Sequence, residues 1–216
     1  MAKVTAPTAA QFSAYQAMYD YFNRVLFGGE LRPVILNFSR AAHSYGFFAP
    51  ERWEASAKGT ERTHEISLNP AHLATRPARE VASTLVHEMA HAWQHEYGTP
   101  SARGYHNKEW AQKMDEIGLG PSATGAPGGA RVGFKMTHYI IEGGPFARAF
   151  AAMPEKHLLP WSSWEPDPAA RRKIRKLALA KNKVKYTCPV CEANAWGKPE
   201  LHLVCGDDDE RMVEAS

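Results

Sequence analysis

The sequence is poor in cysteine, with three in 216 residues, so it cannot build the disulfide framework of a small secreted domain. It also lacks an apolar run long enough to cross a membrane, and its first residues lack the apolar stretch of a secretion signal. No internal repeat is visible. These absences favour a cytoplasmic protein that has no membrane partner, and they leave its oligomeric state open.

The composition predicts one folded domain with an appendage. Hydrophobic residues make up 44% of the chain and aromatic residues 11%, which is enough to build a core. We expect a first domain over 1–160, a basic linker or helix over 161–185, and a small separate unit over 186–216.

The segment from His87 to His91, which reads His-Glu-Met-Ala-His, is the most informative in the chain. In a helix, residues four apart lie on one face, so His87 and His91 can bind one metal ion. Glu88 beside them can activate water. Apolar residues recur at helical spacing on the opposite side, which predicts one core face and one site face: Val81, Leu85, Val86, Met89 and Trp93.

A third metal ligand is expected, because catalytic zinc usually takes three protein ligands and leaves a fourth position for water. His106 is the best candidate, since the chain turns before it and a new helical pattern begins at Asn107. His95 lies about 6 Å further along the helix that carries His87 and His91. We therefore expect it to line the cleft beside the metal or to bond locally, and not to bind the metal. Glu96 and Glu109 are rival ligands, and a capping or surface role for His106 is the alternative.

The remaining patterns of the first domain predict an α+β fold. Residues 11–27 have the spacing of an amphipathic helix, and β-like runs follow at 33–38, 44–48 and 64–68. The metal-bearing helix is expected to start near Pro77. Residues 118–129 are rich in glycine and predict a flexible loop, whereas 131–141 alternate as a strand does. Short strands before a metal-bearing helix indicate a small sheet beside it.

Several of these motifs together resemble the SprT-like (Spartan-related) family of zinc metallopeptidases, in its bacterial form. The resemblance rests on the run 83–114, which contains the histidine motif, and on the segments 26–31, 65–70 and 137–141. It implies a zincin-like metalloprotease fold. It also implies that His87, His91 and His106 bind zinc and that Glu88 is the catalytic residue.

The tail resembles the zinc ribbon that follows the protease domain in many members of this family. Cys188 and Cys191 form one pair, and Cys205 opens a second pair that ends in Asp208 where the family has cysteine. The resemblance implies a structural zinc site, which in the family has four cysteines, and Asp208 would give it one oxygen ligand here. The alternatives are a ribbon that has lost its ion and, more weakly, a redox role for the cysteine pair. Two other residues could supply the fourth ligand: Asp207 and His202.

The net charge of +3 conceals a strongly basic segment. Eight Lys or Arg residues and no acidic residue lie between 171 and 185, which leaves 18 basic against 23 acidic residues elsewhere. Such a segment predicts contact with DNA phosphates, and a solvated linker or helix face is the alternative. The residues expected to contact DNA are Arg171, Arg172, Lys173, Arg175 and Lys176.

The sequence therefore predicts a zinc-dependent endopeptidase that uses one catalytic Zn²⁺ and carries a second, structural Zn²⁺ in its tail. The family resemblance implies protein substrates on or near DNA, including DNA–protein crosslinks. Two alternatives stay open. One is a non-catalytic zinc- and DNA-binding regulator, against which the intact Glu88 argues, and the other is a zinc hydrolase of a small molecule.

Overall fold

The structure is a computed structural model that describes residues 6–40, 44–56, 61–163, 172, 177 and 183–214. The chain divides into two compact units, 1–164 and 165–216. In the described part of the first unit, the helices are α1 (Pro7–Leu26), α2 (Ala78–Tyr97), α3 (Lys108–Glu116) and α4 (Pro145–Ala152). The strands are β1 (Ile35–Phe38), β2 (Gly46–Glu54), β3 (Arg62–Leu68), β4 (Leu119–Ser122) and β5 (Thr137–Ile140).

Small sheets stand beside the helices, which confirms the predicted α+β class. Three strands form one sheet in the order β1-β3-β2, where β3 runs parallel to β1 and antiparallel to β2. Strands β4 and β5 form a separate antiparallel pair. Within the described residues β2 is an edge strand, so one of its sides faces away from the sheet.

Helix α1 packs one face into the core. Tyr15, Met18, Tyr19 and Phe22 recur at helical spacing and are all buried. The helix begins at Pro7, earlier than the predicted start, because proline is well suited to the first turn. It ends before Gly28, whose positive φ of 65° turns the chain away.

Helix α2 lies at the centre of the first unit and is buried on almost every side. The apolar face predicted from the sequence is in the core, and His87 and Glu88 on the opposite face are buried as well. The site face is covered because β2 packs closely over it. A side chain at Gly46 would place its Cβ 2.9 Å from the Ser67 carbonyl oxygen and 3.0 Å from Thr84 Cγ2, so glycine permits this approach.

The region after α3 differs from the prediction. Residues 118–129 were expected to be a loop, but Leu119–Ser122 forms the buried strand β4, which pairs with β5. The expected strand over 131–141 is confined to Thr137–Ile140. Strand β4 contains a glycine and a proline, so its sequence is a poor indicator of a strand. It forms because Gly120 leaves room for the ring of Tyr139, which would lie 2.2 Å from a Cβ there.

The described part of the second unit contains the sheet β7-β6-β8, built from β6 (Val184–Thr187), β7 (Asn194–Gly197) and β8 (Val213–Glu214). Its buried residues are Tyr186, Cys188, Cys205 and Met212. Of the residues expected to contact DNA, Arg172 is exposed, and the others lie outside the described residues: Arg171, Lys173, Arg175 and Lys176. Among the described helices, none is both long and apolar enough to cross a membrane.

Candidate metal centres

Three histidine side chains converge in the first unit. His87 and His91 lie one turn apart on α2, and His106 immediately precedes the N-cap of α3. One ligand nitrogen from each lies within 4.8 Å of the others, and His91 Nε2 is 3.1 Å from His106 Nε2. Two ligands of a tetrahedral zinc ion, each about 2.0–2.1 Å from it, would be about 3.4 Å apart. The donor set and its spacing therefore fit one zinc ion.

Contacts at the start of α3 position His106. Its backbone N–H donates to Gly133 O at 2.8 Å, and the Gly133 N–H donates back to His106 O at 3.0 Å. On α2, Gln94 Nε2 donates to Asn107 Oδ1 and to Glu109 Oε2, both at 2.7 Å. These contacts hold the start of α3 against α2, so His106 faces the two α2 histidines.

The rival third ligands, Glu96 and Glu109, make other contacts. Glu96 Oε1 accepts hydrogen bonds from Arg32 and His64, both at 2.5 Å. Glu109 Oε2 accepts the Thr99 backbone N–H at 2.7 Å. Within the described residues, neither carboxylate belongs to the histidine cluster.

Trp110, on the first turn of α3, forms the floor of the histidine cluster. Its ring centroid lies 4.4 Å from that of His106, 5.1 Å from that of His87 and 5.3 Å from that of His91. The indole is fully buried. Because it touches all three imidazoles, it restricts their rotation and holds them in place before any metal binds.

Burial keeps these imidazoles neutral. It lowers the pKa of His91 to about 3, because a buried cation loses its hydration. The same cause lowers the pKa of His87 and of His106. A neutral imidazole carries the lone pair that a metal ligand needs. At neutral pH the cluster can therefore bind a cation without first releasing protons from these rings.

Glu88 is buried next to the first histidine ligand. Burial raises the pKa of Glu88 to about 8, and the backbone N–H of Phe48, which donates to the carboxylate, partly offsets this effect. A carboxyl group with a pKa near the working pH takes and returns a proton efficiently. A cation held by the histidines would lower this pKa and favour the ionised form, which is the proton acceptor.

The cluster and Glu88 lie in the wall of an open cleft of about 810 Å³. Strand β2 lines one part of this cleft and residues 134–138 line another. His95 lines it too, as expected from its position one turn beyond His91, and its ring contacts Phe48. Three exposed aromatic side chains also border the cleft: Tyr45, Tyr105 and Phe134.

The second unit brings Cys188, Cys191, Cys205 and Asp208 together, with one ligand atom of each within 4.8 Å of the others. Cys191 Sγ is 3.6 Å from Cys205 Sγ, and Asp208 Oδ2 is 3.3 Å from Cys188 Sγ. The hydrogen bond to Asp208 is the main cause that raises the pKa of Cys191 to about 12, and contacts with the thiols lower the pKa of Asp208. A bound cation would take the place of the protons that the Asp208 carboxylate and the thiols share.

The two loops that carry these four residues have the same backbone geometry. The leading cysteine of each loop is Cys188 or Cys205. Its backbone N–H donates to the carbonyl oxygen five residues later, and its own carbonyl oxygen accepts the N–H four residues later. The residue after the second ligand has a positive φ in both, 60° and 54°. Asp208 therefore holds the position that Cys191 holds in the first loop. His202 and Asp207 are exposed and lie outside this cluster within the described residues.

A sequence model of the SprT-like family matches residues 15–127, slightly more than half of the chain. The chain belongs to the SprT-like family. The matched range includes α2, Glu88 and all three histidines. A Salmonella typhimurium protein described as an uncharacterized protein in mucB 3′ region is 32% identical over 56 residues, which are 26% of this chain and 76% of that protein. Membership of the SprT-like family indicates metallopeptidase-type chemistry.

Sequence reasoning did not include His138 among the site residues. The structure places its Nδ1 3.0 Å from His87 Nδ1 and its Nε2 2.9 Å from Ser83 Oγ. Burial lowers the pKa of His138 to about 4, so this ring is also neutral at neutral pH. His138 lies 51 residues from His87 in the sequence, so no local spacing could have revealed the contact.

Proposed function

We propose that this protein is a zinc-dependent endopeptidase whose catalytic ion is held by His87, His91 and His106. The observation that carries the proposal is the convergence of three neutral imidazoles beside one buried carboxylate in the wall of an open cleft. Three histidines are a ligand set that catalytic zinc uses, with a fourth position left open.

Each group in the cleft has a distinct part in this chemistry. Zinc, when bound, supplies a Lewis acid that polarises a carbonyl and lowers the pKa of water toward about 7. Glu88 takes the proton of the attacking water and returns it to the nitrogen of the departing amine, so the peptide bond is replaced by a carboxylate and an amine. Trp110 keeps the three imidazoles oriented during this exchange.

The shape of the cleft favours a polypeptide over a small molecule. Strand β2 lines the cleft, and within the described residues β2 pairs with β3 on one side only. Such an edge offers backbone N–H and C=O groups to an extended peptide. The exposed rings of Tyr45 and Phe134 suit apolar side chains of the same peptide.

The test is hydrolysis of an unfolded protein before and after metal removal. We expect the zinc-loaded chain to generate new peptide termini, the chelator-treated chain to generate none above background, and stoichiometric zinc to restore cleavage. The products are measured by mass spectrometry, with and without DNA. Cleavage that survives complete metal removal would contradict the proposal, and activity on small-molecule esters or amides alone would favour the small-molecule hydrolase.

We further propose that substrates are proteins associated with DNA, and that the basic segment 171–185 contacts the DNA. The support is the charge of this segment, which carries eight basic residues and no acidic one. Contacts with phosphates release condensed counterions, so this binding weakens as salt increases.

Charge reversal of Arg171, Arg172, Lys173, Arg175 and Lys176 should weaken DNA binding and flatten its dependence on salt. Each lost phosphate contact lowers the slope of log K against log salt by about 0.7 to 0.9. Fluorescence anisotropy at several salt concentrations measures both effects. A single reversal at an exposed lysine elsewhere in the second unit is the matched control: Lys198→Glu. An unchanged slope in the fivefold variant would show that the segment does not contact DNA.

The tail, we propose, holds a second zinc ion through Cys188, Cys191, Cys205 and Asp208. The equivalent geometry of its two loops supports Asp208 as the fourth ligand. A hard carboxylate replaces a soft thiolate, so we expect weaker binding than at a four-cysteine site. In so small a unit, the energy of metal binding also contributes to folding.

Asp208→Cys should therefore tighten the second zinc and Asp208→Ala should weaken it, whereas Asp207→Ala, a change at the neighbouring exposed aspartate, should have little effect. The measurement is zinc stoichiometry in a graded chelator series. A wild-type chain that never exceeds one zinc would mean that the tail binds no ion. A second zinc held equally well by Asp208→Ala would contradict the ligand assignment.

A further inference from the structure

His138 contacts the histidine cluster without belonging to its ligand set. It lies on β5, and it is the middle member of a chain of hydrogen bonds that starts on α2 and returns to α2. Its Nδ1 is 3.0 Å from His87 Nδ1, and its Nε2 is 2.9 Å from Ser83 Oγ. Ser83 Oγ in turn lies 2.9 Å from the backbone oxygen of Glu80.

The end of this chain sets the direction of every hydrogen bond in it. The carbonyl of Glu80 can only accept, and the Ser83 hydroxyl donates its single hydrogen there, as the Thr84 hydroxyl also does at 3.1 Å. Ser83 Oγ must then accept from His138, which places the hydrogen of His138 on Nε2. A neutral imidazole carries one N–H, so His138 accepts at Nδ1 and His87 donates through its own Nδ1. His87 keeps its lone pair on Nε2.

The opposite direction would disable the ligand. If Ser83 donated to His138, the hydrogen of His138 would move to Nδ1 and would point at His87. His87 could then only accept at Nδ1, and its hydrogen would lie on Nε2, the nitrogen that remains for a metal. The hydrogen bond from Ser83 to the Glu80 carbonyl therefore matches the arrangement in which Nε2 of His87 is free.

We propose that His138 is a positioning residue that fixes the tautomer and the ring orientation of His87, so that Nε2 is presented to the metal. This inference rests on the zinc site of the proposed function. Partners that hold the second nitrogen of a ligand histidine typically contribute about 10–100-fold to metal affinity.

The tautomers can be read directly in the zinc-loaded full-length protein. Long-range ¹H–¹⁵N correlation spectra of the histidine rings should show the hydrogen of His87 on Nδ1 and that of His138 on Nε2. A His138 ring protonated at Nδ1 alone would overturn the inference. This measurement needs no substitution at His138, so it stands even where a variant folds poorly.

Substitutions then test whether the contact matters for binding. His138→Leu removes the acceptor at similar volume, whereas His138→Asn keeps a carbonyl oxygen close to the position of Nδ1. We expect zinc to bind His138→Leu about 10–100-fold more weakly and His138→Asn close to the wild-type affinity. All arms carry Cys188→Ser and Cys191→Ser, so that only the histidine site reports, and affinity is measured by chelator competition.

The outcomes separate this inference from the proposed function. Wild-type affinity in His138→Leu, or equal losses in the leucine and asparagine variants, would overturn the role of His138 while the zinc site itself stands. A chain with an intact His138 that binds no zinc in the same background would overturn the zinc site, and the inference with it.

Discussion

Glu88→Gln is expected to lower peptide-bond cleavage by about 10²–10⁴-fold, the range that general acid–base catalysis supplies. The change keeps the size of the side chain and its oxygen acceptor for the Phe48 N–H, but it removes the group that takes a proton from water. Fold and zinc content should therefore be unchanged. The measurement is the initial rate of cleavage of an unfolded protein at equal, independently determined zinc occupancy.

The matched control is Glu116→Gln, the same chemical change at the end of α3. The Glu116 side chain is half-exposed and pairs with Lys113, away from the cleft. Its loss should cost at most about 1 kcal/mol of stability and leave turnover unaffected. Full turnover in Glu88→Gln would contradict the assignment of this carboxylate as the proton acceptor.

His106→Ala should lose zinc from the first unit. Two histidines on α2 remain, but a catalytic zinc site needs three protein ligands. The loss of zinc affinity should therefore exceed the effect of removing a residue that only contacts a ligand, which is about 10–100-fold. Chelator competition measures the affinity, in a background with Cys188→Ser and Cys191→Ser that excludes the tail. Thermal unfolding of the metal-free variant shows whether the substitution alters the fold.

His95→Ala is the comparison for this variant. His95 lies on the same helix as the α2 ligands and lines the cleft, but its ring contacts Phe48 and His64, and it is outside the cluster. It should keep wild-type zinc affinity. If His106→Ala bound zinc as tightly as His95→Ala does, the third ligand would have to be another residue.

The parts of this site that could be predicted from the sequence are those that depend on local periodicity. His87, Glu88 and His91 share a helix, so their spacing alone puts them on one face. Helix α1 and the start of α2 at Pro77 follow from the same kind of pattern. In each case the relevant contacts lie within a few residues along the chain, where spacing and structure are directly linked.

The remaining parts depend on contacts between distant segments. His106 faces the α2 histidines because Gly133 pairs with it and Gln94 holds the start of α3. Strand β4 forms through its pairing with β5, and His138 reaches His87 across 51 residues. Alternation along Thr137–Ile140 predicts a strand, but it does not say which helix the strand will meet.

The tail shows the same limit. The sequence places Asp208 where a cysteine would complete the second pair, and this position could be read without a structure. That the two loops share one backbone geometry, with positive φ after each second ligand, became visible only in three dimensions. The sequence alone could not decide whether the fourth ligand is Asp208, Asp207 or His202.

The most direct measurement of the central claim is isotope incorporation during cleavage. An unfolded protein is incubated in H₂¹⁸O with zinc-loaded wild type, with metal-free wild type and with zinc-loaded Glu88→Gln, in the presence and absence of DNA. Zinc-loaded wild type should yield peptides whose new C-terminal carboxylates carry one ¹⁸O atom, and the other two samples should yield none above background. The absence of labelled peptides from fully zinc-loaded wild type, with and without DNA, would contradict the account.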